Sequence, residues 1–251
     1  VDDAQSSPWP GDEALCRNRL LAAMGNEGRG ALAPHLRAVE LSRGQRLFEP
    51  GEDVGWMHFP CDGTMLSLIV VLPDGRTADT GLIGCEGAVG GLVSRGHRPA
   101  FARAVVQIPG AAWRVEVGHV EEAKERVAAL GDALARYADC LLAQLLQTVA
   151  CNGRHSLEQR MANWLLTMQD RQGAAELPLT QEYLGEMLGV SRTYVTRTAA
   201  AFQAQGLIGY ARGRLRVLDR AGLRAVSCDC QDTVAAHYDR VLPGLRPESP
   251  I

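Results

Sequence analysis

The sequence predicts an α+β protein: an N-terminal β-roll or jelly roll, a long helix, and a C-terminal helical module closed by a β-hairpin. Three features of the chain point to it. Between Leu41 and Val117, short apolar runs are punctuated by eleven glycines from Gly44 to Gly96. From His119 to Asn152 the chain is free of proline and carries apolar residues at helical spacing. Beyond Ser156, amphipathic helical runs end in the alternating stretch "LIGYARGRLRVLD".

In chain order, residues 1–35 form an N-terminal helical segment, with "DEALCRNRLLAAM" as a short helix before a Gly-rich turn. Residues 36–118 form the β-roll. The runs "MLSLIVVL", "ARAVVQI" and "AAWRVEV" are separated by "EPGE", "CDGT", "PDGR" and "SRGHRP", the spacing of an all-β roll. "VVLPDGRTADT" reads as a hairpin about Asp74-Gly75, where glycine supplies a positive φ at no steric cost.

Residues 119–155 form a dimerisation helix and hinge, with Gly131 as a possible break. Leu134, Ala138, Leu141, Leu145, Thr148 and Asn152 alternate four and three apart, an a/d seam for a partner helix. Leu142, Leu146 and Val149 widen the stripe, so that one face can pack on the roll while the other meets a partner. Gly153 is placed as the residue that ends this helix. Ser156 followed by Gln159 is a capping box for the next one.

Residues 156–227 hold the densest signal, and residues 228–251 form a helical tail. Thr180 stands at the N-cap of "QEYLGEML". Gly189 takes the turn, Val190 plugs a small core, Ser191 caps the next helix and Gly206 closes it. Helix, three-residue turn, helix and hairpin, with Gly213 at the hairpin turn, is the order of a winged helix-turn-helix. In that arrangement the second helix enters the major groove of DNA. Arg192, Thr193, Thr196 and Arg197 share its exposed face and are the candidate base readers, arginine being suited to guanine O6 and N7. Thr180, Gln181 and Ser191 at helix N-termini, and Arg212, Arg214 and Arg216 on the wing, are candidate phosphate contacts.

Charge supports this reading. The formal net charge of the 251 residues is only −3, but residues 1–152 carry 14 basic and 19 acidic side chains, and residues 187–227 seven arginines and one acid, Asp219. A basic module is joined to an acidic one. With 46% hydrophobic and 22% charged residues the composition is that of a soluble protein. There is no apolar run of about 18 residues for a membrane span and no secretory pattern at the start. Seven scattered cysteines argue against a disulfide framework. The expected location is the cytoplasm, with no membrane partner.

"TQEYLGEMLGVSRTYVTR" resembles the recognition motif of the Crp–Fnr family of bacterial transcription regulators, and the domain order resembles that family over nearly the whole chain. Ser191, Arg192 and Arg197 match the motif; Thr193 stands where the best-known members have glutamate. A carboxylate there accepts from cytosine N4, so the DNA sequence read is expected to differ. The resemblance implies a homodimer on an inverted-repeat operator, double-stranded DNA and RNA polymerase as partners, and a β-roll like a cyclic-nucleotide-binding domain.

In the cyclic-AMP binders of that family a Gly-Glu pair holds the ribose and an Arg-Ser pair the phosphate. Gly90, Gly91, Arg98 and Pro99 are the corresponding effector-pocket candidates, but Gly91 stands for the glutamate and Pro99 for the serine. The adenine-contacting hydroxyls map near Leu145 and Leu146. These losses argue against cyclic AMP and leave another effector, or none.

No cofactor and no metal are expected. The N-terminal cysteine cluster of the iron–sulfur members is reduced to Cys16. His35, His58, His97 and His119 are haem ligands by residue type only. Cys228, Cys230 and His237 have a C-x-C…H pattern at non-standard spacing. A redox role for Cys140 and Cys151 on the long helix competes with their packing as small apolar side chains. An enzyme of the cupin type lacks its paired histidines between residues 41 and 117. A protein-binding adaptor is disfavoured by the arginine excess.

Overall fold

The computed structural model describes residues 18–93, 95–172, 176–177, 179–211 and 213–245. Asn18 starts the described chain. Its Oδ1 accepts from the Leu21 N–H, capping α1 (Arg19–Ala23), while its Nδ2 donates to Pro60 O and Gly87 O at 2.8 Å each. After α2 (Gly25–Leu32) and a 3₁₀ turn (Ala33–His35) come seven strands: β1 (Arg37–Leu41), β2 (Arg46–Phe48), β3 (Trp56–Pro60), β4 (Met65–Val71), β5 (Thr77–Ile83), β6 (Arg103–Ile108) and β7 (Gly110–Glu116). They form two antiparallel sheets, ordered β1-β7-β3 and β2-β6-β4-β5. The β4–β5 hairpin turns at Gly75, whose φ is +82°, and pairs Val71 with Thr77.

Helix α3 (Val117–Arg126) follows the roll, and α4 (Ala128–Arg154) is the long helix. The break falls at Val127 (φ −125°, ψ 96°), not at Gly131, which lies inside α4. Gly153 does not end the helix either; it is helical, and His155 is the C-cap. Both glycines are tolerated at an ordinary helical cost of about 1 kcal/mol each.

The expected dimer seam is corrected. Leu134 and Leu141 are buried in the chain's own roll core, and Leu145 packs against it. Ala138 and Thr148 are half-buried beside them. The large apolar residues left open on α4 are Leu142, Leu146 and Val149, at 53%, 63% and 72% exposure. Both stripes satisfy helical spacing; the roll takes the one whose partners are already in place. Tyr137 anchors that inner face. Its Oη donates to Ala88 O at 3.1 Å, and a Cβ at Gly87 would lie only 2.1 Å from it.

The second module contains α5 (Leu157–Gln172), β8 (Glu176–Leu177), α6 (Gln181–Leu188), α7 (Arg192–Ala204), β9 (Ile208–Ala211), β10 (Arg214–Val217) and α8 (Arg220–Val226). The Ser156–Gln159 capping box is present in both directions, at 3.0 and 3.3 Å. Strand β8 is an addition to the expected hairpin and makes a sheet of order β8-β10-β9. Met161, Leu165, Leu184, Val195, Phe202, Leu215 and Leu223 build the core, and Met65 of β4 enters it from the roll.

Two helices follow the wing, α8 within the winged module and α9 (Cys230–Val241) in the tail. α8 packs on α5, whereas α9 turns back along α4. Tyr238 Oη reaches Gln144 Oε1 at 3.3 Å, and Val234, Tyr238, Leu242 and Leu245 complete the core that α4 shares with the roll.

Candidate nucleic-acid interface

The turn between α6 and α7 is set by two glycines. Gly189 has φ +65° and ψ 34°, a left-handed conformation that glycine adopts without a Cβ penalty. Its N–H donates to Glu186 O, and the Val190 N–H to Gly185 O at 2.9 Å, so the last carbonyls of α6 are satisfied. A Cβ at Gly185 would stand 2.9 Å from Val190 O. That residue permits the close approach of helix and turn, and the sequence reading missed it. A glycine inside an otherwise helical run was the available signal.

On α7, Val195, Thr198, Ala199 and Phe202 are buried, and Arg192, Thr193, Tyr194, Thr196 and Arg197 are exposed. The four expected base readers therefore lie together on one open face. The Thr196 hydroxyl is 2.7 Å from Gln181 Oε1 and 2.9 Å from Arg192 O, with one proton to offer both. The Arg197 guanidinium lies over the ring of Tyr194, 4.6 Å from its centroid. Such a contact stiffens a long side chain at little cost. Tyr194 was not among the expected site residues.

The expected phosphate contacts differ in availability. The Thr180 hydroxyl already caps α6, accepting from the Tyr183 N–H at 3.1 Å, and Gln181 holds Thr196. Ser191 sits at the N-cap of α7 in extended conformation, but its side chain makes no capping bond. On the wing, whose turn is Gly213 at φ +74°, Arg214 and Arg216 both pair with Glu176, at 3.3 and 2.9 Å. Hydrogen bonds from Arg216 and Arg214 hold the Glu176 carboxyl below its ordinary range. Arg212 lies outside the described residues.

Three of the four effector-pocket candidates are engaged by the chain itself. A Cβ at Gly90 would fall 2.3 Å from Trp56 O, and one at Gly91 2.5 Å from the Val117 side chain. Arg98 donates to Glu121 Oε1 at 2.7 Å and to Val54 O at 3.2 Å, and its backbone N–H to Asp53 Oδ1. It braces a loop against α3. Pro99 is exposed and bridges to Asp53. A cavity of about 130 Å³ lies elsewhere, between β5, α4, α5 and α6, lined by Asp79, Gln144, Thr167, Arg171 and Met187 among others.

The histidines and cysteines also sort themselves. His35 stacks on His119, with ring centroids 3.8 Å apart. His58 is buried, and burial together with the nearby Arg114 charge lowers its pKa to about 4. His237 faces Asp139 at 3.5 Å and takes no part in the C-x-C pattern. Cys61 is disulfide-bonded, a single pairing where the scattered cysteines argued only against a disulfide framework. Cys228 and Cys230 meet Cys151 and His155. Burial pushes the Cys151 and Cys228 thiols upward. Cys151-x₃-His155 at the end of α4 thus joins the C-x-C pair, in place of His237, with all four ligand atoms within 4.8 Å of one another.

The family model described as a Crp-like helix-turn-helix domain matches residues 159–226, the segment holding α6, α7 and the wing. The chain carries a Crp-like helix-turn-helix domain on the fold of the Crp–Fnr regulators. FixK2 from Bradyrhizobium japonicum is similar over 77% of this chain and 98% of its own, with a TM-score of 0.67 at 17% identity. A putative transcriptional regulator of the Crp/Fnr family from Eubacterium rectale is similar over 82% and 96%, with a TM-score of 0.65 at 16% identity. The c-di-GMP-responsive global regulator CLP of Xanthomonas campestris is similar over 77% and 99%, with a TM-score of 0.65 at 14% identity. No curated protein matches the chain. Among the described residues no helix is long and apolar enough to cross a membrane.

Proposed function

We propose that the protein is a sequence-specific DNA-binding transcription regulator, not an enzyme, acting as a homodimer on an inverted-repeat operator. The observation that carries this is the open face of α7: Arg192, Thr193, Thr196 and Arg197 exposed together on a helix whose opposite side is buried by Val195 and Phe202. The domain match over residues 159–226 supports the same reading. Each protomer offers one such helix, so a two-fold dimer reads half-sites about one helical turn apart. Leu142, Leu146 and Val149 on α4 supply the apolar face for the second protomer.

Arg192 and Arg197 are the guanine readers in this proposal, Arg197 pre-oriented by Tyr194. Thr193 sets the departure from glutamate-bearing relatives. Ser191, with its hydroxyl uncommitted, and the wing arginines contact phosphates; RNA polymerase is the further partner in transcription. Cyclic AMP does not fit as the effector, since Arg98 is engaged by Glu121 and Val54 O. Any effector acts by changing how the winged module sits on the roll.

Selection of bound duplexes from a random pool gives the operator. On that operator Arg192→Ala and Arg197→Ala are each expected to weaken binding by about 1–3 kcal/mol and to relax preference at separate base pairs. Binding by both variants equal to that of the parent would overturn this assignment of the reading face.

A further inference from the structure

The end of α4 and the start of α9 bring four metal-binding side chains to one point. Cys151 lies on the last turn of α4 and His155, four residues on, is its C-cap, so the two come to the same side. Cys228 follows the Ser227 C-cap of α8, and Cys230 opens α9. Their ligand atoms, three Sγ and one imidazole nitrogen, all lie within 4.8 Å of one another. Cys151 Sγ and Cys228 Sγ are 3.7 Å apart, and Cys230 Sγ and His155 Nδ1 3.4 Å.

These two separations are opposite edges of a tetrahedron. Metal–sulfur bonds of about 2.3 Å and metal–nitrogen bonds of about 2.0–2.1 Å at tetrahedral angles give edges of about 3.8 Å for S–S and 3.6 Å for S–N. The side chains therefore stand close to the positions that a single bound ion requires. An iron–sulfur cluster spreads its cysteines over several iron atoms; ligand atoms this close leave room for one ion. A disulfide needs its sulfurs at about 2.05 Å, and Cys151 and Cys228 are well beyond that.

The geometry points to a Zn²⁺ site made by Cys151, His155, Cys228 and Cys230, closing the C-terminal helix onto the hinge of the winged module. Three thiolates and an imidazole form a filled coordination shell, the mark of a structural rather than a catalytic zinc. Soft sulfur ligands select against Mg²⁺ and Ca²⁺. Gln147 Nε2 donates to Cys230 Sγ at 3.1 Å, an outer hydrogen bond that orients the ligand.

The position gives the site its consequence. Only Ser156 separates His155 from α5, so one ligand sits at the pivot between the long helix and the winged module. Cys228 and Cys230 fasten the crossing from α8 to α9. A bound ion joins the pivot to the return of the tail, and so holds the angle at which α5 leaves α4.

The test uses the full chain, reduced, and titrated with Co²⁺ as a spectroscopic probe. One equivalent is expected to give the strong visible and near-ultraviolet bands of a tetrahedral thiolate site, and Zn²⁺ is expected to abolish them. Cys228→Ser and Cys230→Ser are expected to lose the bands, whereas Cys140→Ala, altering a buried cysteine elsewhere on α4, is expected to keep them. Chelation of the parent is expected to speed proteolysis after residue 227 several-fold. A parent protein showing only the weak spectrum of octahedral cobalt would overturn the site, without reference to how any variant folds. So would a Cys151–Cys228 disulfide whose reduction restores no metal binding. Equal proteolysis with and without metal would overturn the clamp.

Discussion

Arg171 of α5 reaches into the β-roll and meets Glu86, Nη2 to Oε1 at 3.0 Å, with only 7% and 3% of the two side chains exposed. The same arginine donates to Leu82 O at 2.9 Å, and Glu86 Oε1 also accepts from the Gly84 N–H. A charge from the winged module is thus buried in the other domain. Around it, Met187 of α6 lies 3.8 Å from Ser67 Oγ of β4, and Met65 joins the winged-module core. The two modules are held together by an ion pair inside an apolar contact.

Removing one member of such a pair leaves the other buried and uncompensated, at a cost of about 3–5 kcal/mol. Opening the contact between modules relieves that cost by exposing Glu86 to water. Arg171→Leu is therefore expected to raise hydrogen exchange in β5 and α6 and to speed cleavage near the hinge. Arg171→Leu combined with Glu86→Leu is expected to be milder than Arg171→Leu alone. A single variant with parental exchange rates would show that the pair does not hold the modules together.

Asp79 on β5 gives the same contact a pH dependence. Burial raises its carboxyl pKa from the ordinary 3.8 to about 7, against hydrogen bonds from Ser67 and Gly81 that favour the anion. Tyr183 of α6 is a charge-coupled neighbour of Asp79, and Arg160 and Arg171 line the same cavity. With the folded pKa above the unfolded one, the folded state holds the extra proton between about pH 4 and 7. Stability from this group is full below that window, falls as pH rises through it, and is constant above. His58 acts in the opposite sense, its pKa lowered to about 4, so that stability is lost as pH falls from 6.5 towards 4. Asp79→Asn is expected to flatten the thermal midpoint between pH 5 and 8 relative to the parent. Parallel curves for parent and variant would show that Asp79 is not buried in the neutral form.

The helix-turn-helix was legible because its signals are local. Gly189, Ser191 and the period of Val195 and Phe202 lie within one short stretch, and backbone sterics act at that range. The outward face of α4 was not legible in the same way, since Leu134–Leu141 and Leu142–Val149 both satisfy a helical period. Only the position of the roll decides between them. Strand β8 is two residues long, too short to carry any periodicity. The Cys151–Cys228 contact spans 77 residues and Arg171–Glu86 joins two domains. Such pairs become neighbours only through the fold, and a linear pattern such as Cys228-x-Cys230…His237 pointed to the wrong histidine.

The open stripe on α4 separates dimer contacts from core contacts. Leu146→Glu is expected to halve the mass measured in solution, with helix content retained, because the residue is 63% exposed in the single chain. Leu134→Glu, at a site with no exposure, is expected to unfold the roll instead. If Leu146→Glu leaves the mass unchanged, α4 does not pair through this face.

Glu176 restrains the wing. Its two partners, Arg214 and Arg216, are exposed, so the ion pairs add little to stability. They do hold both guanidinium groups on the β8 edge, where a phosphate must compete with a carboxylate. Replacing Glu176 with glutamine removes the competing charge and leaves the backbone pairing of β8 with β10 intact. Binding to DNA is expected to strengthen by less than about ten-fold. Its dependence on salt is expected to steepen, since each arginine newly placed on a phosphate adds about 0.9 to the slope of log affinity against log salt. The gain is expected on unrelated duplexes as much as on the operator, because phosphate contacts carry no base information. A gain confined to the operator would place these arginines at base edges. An unchanged slope would remove the wing from the interface.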